Sequence, residues 1–162
     1  MDRETWDAQR SSFGTAAALY DRVRPRYHPD AIRWALAGAD ARPDAAAGAG
    51  HRVTSVVDLG AGTGILSRQL IELGYDCQPV EPDEQMRAQC DAALRERFGA
   101  AARTALAGSA EQIPLPDGAA DAVIAGQAYH WFDPATAHPE IARVLRPGGV
   151  FAPIWNIRDE SE

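Results

Sequence analysis

At 162 residues, with a formal net charge of −7 and a pI near 5.0, the chain is long enough for one domain with its own hydrophobic core. It lacks the basic surplus that an electrostatic nucleic-acid binder needs, so no nucleic-acid partner is expected. Cys77 and Cys90 have no metal-ligand spacing and read as buried small apolar residues, which argues against a zinc site or a disulfide framework. No apolar run approaches membrane-spanning length and the first residues carry no signal core, so the sequence predicts a cytoplasmic protein without a membrane partner.

Residues 1–50 read as a helical arm and a flexible connector. Ala16, Ala17, Leu19 and Tyr20 mark a short helix that Pro25 closes, and Pro29-Asp30 opens another with Ile32, Trp34 and Leu36 as its larger apolar residues. Between them, Tyr20 to Pro29 reads as a solvated basic turn anchored by Tyr20 and Tyr27. Residues 38–51 are almost entirely Ala, Gly, Asp, Arg and Pro and keep no apolar period, as a connector would.

From 51 to 162 the pattern alternates strand and helix. A first strand, Val53–Leu59, leads into Gly60-Ala61-Gly62-Thr63-Gly64 and a helix from Thr63 to Leu73 that stops at Gly74. A second strand, Tyr75–Glu81, ends on a carboxylate; Asp83 then caps a helix bearing Met86, Cys90, Leu94 and Phe98. A weak third strand falls near Ala102–Ala107, before the loop Gly108–Pro116. The fourth strand, Asp121–Gln127, runs into Ala128-Tyr129-His130-Trp131-Phe132, and Asp133-Pro134 starts the next helix. Arg146-Pro147-Gly148-Gly149 ends that helix, and Val150–Asn156 makes a fifth strand whose Pro153 is best tolerated at a sheet edge. This alternation predicts an open, mostly parallel α/β sheet of about five strands with helices on both faces.

The glycine turn carries the functional signal. Glycines supply positive φ and let a ligand approach bare backbone, and the following helix offers N–H groups and the positive end of its dipole. The spacing is Gly-x-Gly-x-Gly with Ile65 in the sixth place, where a dinucleotide fingerprint wants a small residue; this disfavours a nicotinamide-dependent oxidoreductase. An acid at the end of the second strand, Glu81, can accept from both hydroxyls of a ribose.

Five stretches occur in one order: Val57-Asp58-Leu59-Gly60-Ala61-Gly62-Thr63-Gly64, Val80-Glu81-Pro82, Gly108-Ser109-Ala110-Glu111-Gln112-Ile113-Pro114, Gln127 to Phe132, and Val144-Leu145-Arg146-Pro147-Gly148-Gly149. Together they resemble the class I S-adenosylmethionine-dependent methyltransferases of the ubiquinone/menaquinone-biosynthesis-like type, with a Rossmann-like core. The His-Trp-Phe element is similar to a subgroup that includes trans-aconitate methyltransferase-like proteins.

The resemblance implies S-adenosyl-L-methionine as cofactor and in-line methyl transfer to a small-molecule acceptor, with no metal. It implies cofactor contacts from Asp58, Gly60, Ala61, Gly62, Gly64, Glu81, Pro82, Met86, Ser109, Ala110, Glu111 and Gln127. Within that set, Glu81 would meet the ribose, Met86 the adenine face, with core packing an equal alternative, and Ser109-Ala110-Glu111 the adenine edge. Asp58, the backbone at Gly60 and Gly62, and Gln127 would meet the methionine part. The N-terminal arm would cover cofactor or substrate, with Tyr20, Tyr129 and Trp131 lining the acceptor site, although core packing is the stronger reading for Trp131. His130 is the candidate catalytic base, with a packed structural histidine as the alternative. A monomer or homodimer is expected.

Two departures stand out. Many relatives carry Asp where Ser109 stands, and the sequence stops soon after the fifth strand, where family members add a helix and an antiparallel strand pair. The early stop motivates a second expectation: a catalytically poor cofactor-binding or interaction protein that pairs through an open sheet edge.

Overall fold

The computed structural model describes residues 26–37 and 53–157. Tyr20, the expected helix around it and the connector lie outside the described residues. The elements are α1 (Pro29–Ala37), β1 (Ser55–Leu59), α2 (Ile65–Glu72), β2 (Asp76–Glu81), α3 (Glu84–Phe98), β3 (Leu106–Ala107), β4 (Ala120–Gly126), a 3-10 turn (Tyr129–Trp131), α4 (Pro134–Val144) and β5 (Leu145–Ile154). Among the described residues no helix is long and apolar enough to cross a membrane.

The five strands form one parallel sheet in the order β3-β2-β1-β4-β5. From β1 the chain steps outward through β2 to β3, then returns to lay β4 on the other side of β1. The strand order therefore reverses between β1 and β4, the switch point at whose carboxyl ends open α/β sheets bind ligands.

Burial on both faces explains why β1 and β4 read as continuous apolar runs. Side chains alternate across the pleat. Val56, Ala122, Ile124 and Cys77 pack one face with Leu66 and Leu70 of α2 and with Ile32 and Leu36 of α1. Val57, Leu59, Val80 and Val123 pack the other with Ala137, Ile141 and Val144 of α4 and with Ile113. In α1 the i, i+4 pair Ile32 and Leu36 points inward, whereas Trp34 is 81% exposed. Tyr27 anchors the start of this helix. Its backbone N–H donates to Gln69 Oε1 (2.9 Å) and its carbonyl accepts from Gln69 Nε2 (2.7 Å), so one buried side-chain amide serves as a short strand for the arm. The Tyr27 hydroxyl lies 2.7 Å from where a Cβ on Gly126 would stand.

Several boundaries differ from the sequence reading. Helix α2 starts at Ile65 rather than Thr63, because Gly64 holds a left-handed φ of +80°. The third strand shrinks to Leu106–Ala107, paired with Val80 and Glu81. Arg146-Pro147-Gly148-Gly149 does not merely end a helix: it is the opening of β5, joined to β4 through a register shift between Ala120 and Ala122. Glycine permits this because a Cβ on Gly149 would lie 2.8 Å from the Asp121 carbonyl. Pro153 sits on β5, an edge strand, as expected. Both cysteines are buried and free, and burial pushes the Cys90 thiol up to about 12, which suits packing and not nucleophilic chemistry.

At the amino end of the sheet, the Asp121 carboxylate is fully buried. Its Oδ2 accepts from the backbone N–H and hydroxyl of Thr54 (2.9 and 3.0 Å) and of Ser55 (2.9 and 3.1 Å), while Arg146 donates to Oδ1. One side chain thus ties β1, β4 and β5 together. Asp121→Ala would strand these donors at a buried site and is expected to cost about 3–5 kcal/mol. Thermal denaturation should show a midpoint lower by roughly 10 °C or more; a shift within a few degrees would refute the assignment.

Candidate functional site

The glycine turn joins β1 to α2 at the reversal point. Gly60, Gly62 and Gly64 have φ of +74°, +57° and +80°, but their surroundings separate them. A Cβ on Gly60 would lie 2.7 Å from the Ala128 Cβ, and one on Gly64 would lie 2.7 Å from the Cys90 sulfur. Among the described residues, a Cβ on Gly62 would meet nothing within 4 Å. Two glycines let the segment after β4 and the middle of α3 close on the turn, and the middle glycine faces open space. A turn with bare backbone toward a cleft fits a ligand pressed against it.

Four backbone N–H groups of this turn already have partners within the protein. Gly60 N–H and Ala61 N–H both donate to the Val80 carbonyl (2.9 and 3.1 Å), and Gly64 N–H donates to the Ala61 carbonyl (2.9 Å). Gly62 N–H donates to Glu81 Oε2 at 2.9 Å. The reason for three of them is the neighbouring strand: β2 runs alongside β1 and ends level with the turn, so the Val80 carbonyl and the Glu81 carboxylate reach Gly60, Ala61 and Gly62.

Glu81 is 8% exposed, and its second oxygen, Oε1, accepts from Asp83 N–H at 3.0 Å. A carboxylate accepts about four hydrogen bonds, so these backbone contacts are compatible with a diol as a further donor. Asp83 caps α3 as predicted, accepting from Met86 N–H at 2.8 Å. Met86 is itself buried at 5% exposure, while Pro82 is exposed beside it.

Asp58 lies beneath the turn at 1% exposure, on the sheet face covered by α2, and Ser67 Oγ donates to its Oδ2 at 2.5 Å. The side chain two places after Val56 falls on the Val56 face and meets helix α2. Burial, opposed by the Ser67 hydrogen bond and aided by the Glu81 charge, raises the Asp58 carboxyl from 3.8 to about 7.

The loop after β3 is anchored from α4. Arg143 donates to the carbonyls of Leu115 (2.8 Å) and Ile113 (3.0 Å) while paired with Asp117 and Glu140. Ser109 and Gln112 exchange backbone hydrogen bonds at 3.2 Å, Ala110 is buried, and Glu111 Oε1 accepts from Asp133 N–H at 2.9 Å. The Ser109 N–H and one Glu111 oxygen therefore hold the loop together and to α4.

At the mouth of β4, Gln127 is a non-glycine residue at φ +58°. Its N–H donates to the Ile154 carbonyl (2.9 Å) and its Nε2 to the Asn156 carbonyl (3.0 Å), binding β4 to the chain leaving β5. Such strained backbone is held only where surrounding contacts over-determine it. Tyr129 turns between α4 and β5. Its hydroxyl is 3.0 Å from His138 Nε2, and its ring packs against Phe132, Phe151 and Trp155. His130 is exposed with its ring centroid 5.0 Å from that of Trp131, so these two share a surface that Tyr129 leaves.

The sequence reading passed over Ser67, Gln69, Arg87, Arg143 and His138. A polar residue next to buried helix positions, as Ser67 and Gln69 are to Leu66 and Leu70, is the one signal that could have marked the first two.

The raised Asp58 carboxyl has a pH consequence. Between about pH 4 and about pH 7 the folded state keeps a proton that the unfolded chain has lost, so this group's contribution to stability falls as pH rises through that window. Below it both states are protonated and the penalty vanishes. Thermal midpoints of wild type and Asp58→Asn, compared from pH 4 to pH 8, should converge at the acid end with wild type dropping relative to the variant toward pH 7. Parallel curves would contradict the shift.

Comparison with known proteins agrees with this architecture. The chain is 47% identical over 149 residues to an uncharacterized methyltransferase of Mycobacterium tuberculosis, covering 92% of this chain and 54% of that protein. It is 37% identical over 103 residues to a dimethylglycine N-methyltransferase of Parasynechococcus marenigrum, covering 59% of this chain and 35% of that one. A solved structure described as a type II methyltransferase from Anaeromyxobacter dehalogenans superposes with a TM-score of 0.62 at 32% identity, over 82% of this chain and 48% of that chain. The chain thus spans about half the length of the M. tuberculosis relative. The family described as methyltransferase domain matches residues 57–152, and with the parallel sheet, the reversal point between β1 and β4 and the glycine turn under it, the chain belongs to that family.

Proposed function

We propose that residues 51–162 form the S-adenosylmethionine-binding core of a small-molecule methyltransferase, with residues 1–50 as an N-terminal arm and connector. The observation that carries this reading is the Gly62–Glu81 bond at 2.9 Å, which sets an acidic acceptor beside a glycine facing open space at the carboxyl edge of the sheet. In this reading Glu81 accepts from the ribose hydroxyls, and the space over Gly62 receives the methionine end. Asp58 supports the turn from below through Ser67, and Ala110 and Met86 border the adenine. The resemblance to a dimethylglycine N-methyltransferase supports a small acceptor.

When bound, the cofactor supplies a methyl group on a positively charged sulfur that leaves with the bond pair as the acceptor attacks. The chain's own contribution is then to bind, align and exclude water. Gln127, fixed in its left-handed conformation at the β4 mouth, holds the backbone where acceptor and methyl would meet. For an acceptor that must lose a proton, exposed His130 is the nearest candidate base, with its ring oriented by Trp131.

Titration of the chain with S-adenosylhomocysteine tests the reading, and the glycines sharpen it. Gly62→Val is expected to abolish binding with a small loss in thermal midpoint, whereas Gly60→Ala and Gly64→Ala should lower the midpoint more, through contact with Ala128 and Cys90. Glu81→Ala should weaken binding by about 10- to 100-fold, as for loss of a hydrogen bond to a charged group. A folded wild-type chain that binds neither S-adenosylmethionine nor S-adenosylhomocysteine would overturn the reading.

A further inference from the structure

Arg87 occupies the fourth position of α3, and its presence there is unfavourable on local grounds. A cation in the first turns of a helix opposes the positive end of the dipole, and the residues just before it, Asp83 and Glu84, follow the usual acidic preference. Arg87 does not extend into solvent. It folds back so that Nη1 donates to the carbonyl of Glu81 at 2.9 Å and to that of Pro82 at 2.6 Å. Its own backbone N–H donates to the Asp83 carbonyl at 3.0 Å.

The turn leaving β2 is therefore held from two sides. Gly62 N–H and Asp83 N–H grip the Glu81 carboxylate, and the Arg87 guanidinium bridges the two carbonyls that close the strand. Pro82 has no N–H, so the backbone lacks a donor at the point where the chain bends. Arg87 supplies donors there and sets the direction in which the Glu81 side chain leaves the strand.

From this we infer that Arg87 is a positioning residue for Glu81, and that it sets the preference of the site for a ribose over a 2′-deoxyribose. The inference rests on the reading of Glu81 as the acceptor for the ribose hydroxyls. A carboxylate that meets two hydroxyls at once is sensitive to its direction, because both contacts weaken when it turns. Removing Arg87 should therefore lower affinity for the ribose ligand more than for its 2′-deoxy analogue.

The test uses calorimetric titration of the 162-residue chain with S-adenosylhomocysteine and with its 2′-deoxy analogue. The proteins are wild type, Arg87→Met, Arg87→Lys, Glu81→Gln and Arg95→Met, the last removing an exposed charge from the far end of the same helix. Arg87→Met is expected to weaken the ribose ligand by about five- to tenfold, the scale of one or two net hydrogen bonds. The 2′-deoxy ligand should weaken much less, so the ratio of affinities falls. Arg87→Lys should recover part of that ratio, and Arg95→Met should leave both affinities and the thermal midpoint unchanged. If Arg87→Met weakens both ligands in proportion, or leaves the ratio at the wild-type value while Glu81→Gln abolishes it, the positioning role is overturned. If Glu81→Gln keeps the wild-type ratio, the ribose assignment of Glu81 fails, and the role of Arg87 fails with it. A wild-type chain that binds neither ligand overturns both.

Discussion

The hydrogen bond from Gly62 N–H to the Glu81 carboxylate closes the mouth between β1 and β2, and the rest of the site depends on it. It fixes where the glycine turn stands relative to the end of β2, and so which part of the turn faces open space. Its cost is a carboxylate held at 8% exposure near a second buried acid, Asp58. The fold meets that cost locally, with Asp83 N–H on Glu81, Ser67 on Asp58, and Arg87 behind the strand end.

The two ends of the sheet divide the work. At the amino end Asp121 gathers donors from β1 and the positive charge of Arg146 on β5. At the carboxyl end, β4 reaches Gly126 and then bends through left-handed Gln127. Tyr27 fills the place where a side chain on Gly126 would stand, so the segment before α1 meets the sheet beside the reversal point. A glycine at 126 is thus explained by a residue nearly a hundred positions earlier, a contact that no local pattern encodes.

The aromatic run Tyr129-His130-Trp131-Phe132 shows how a single motif splits in three dimensions. The 3-10 turn directs Tyr129 between α4 and β5, against His138, and leaves His130 and Trp131 at the surface. Residues adjacent in sequence therefore serve different ends: one closes an aromatic cluster and two stay exposed or half-buried beside each other.

The alternation of apolar strands with helices of 3.6 period, the capping residues Asp83 and Asp133, and the Gly-x-Gly-x-Gly turn were legible in the sequence, because each depends on local chemistry: periodicity, an acceptor before a helix, a residue able to hold positive φ. The parallel sheet and the acid at the end of β2 follow from the same local terms. What only the tertiary structure decided is which partner each polar group takes. The turn amides meet Val80 and Glu81, Asp58 meets Ser67 beneath the turn, Glu111 meets Asp133, and Arg87 folds back on the end of β2. These pairings join residues from different strands and helices. They are set by register and by the burial that forces each donor and acceptor to find a partner, and neither is written in the spacing of a single stretch of chain.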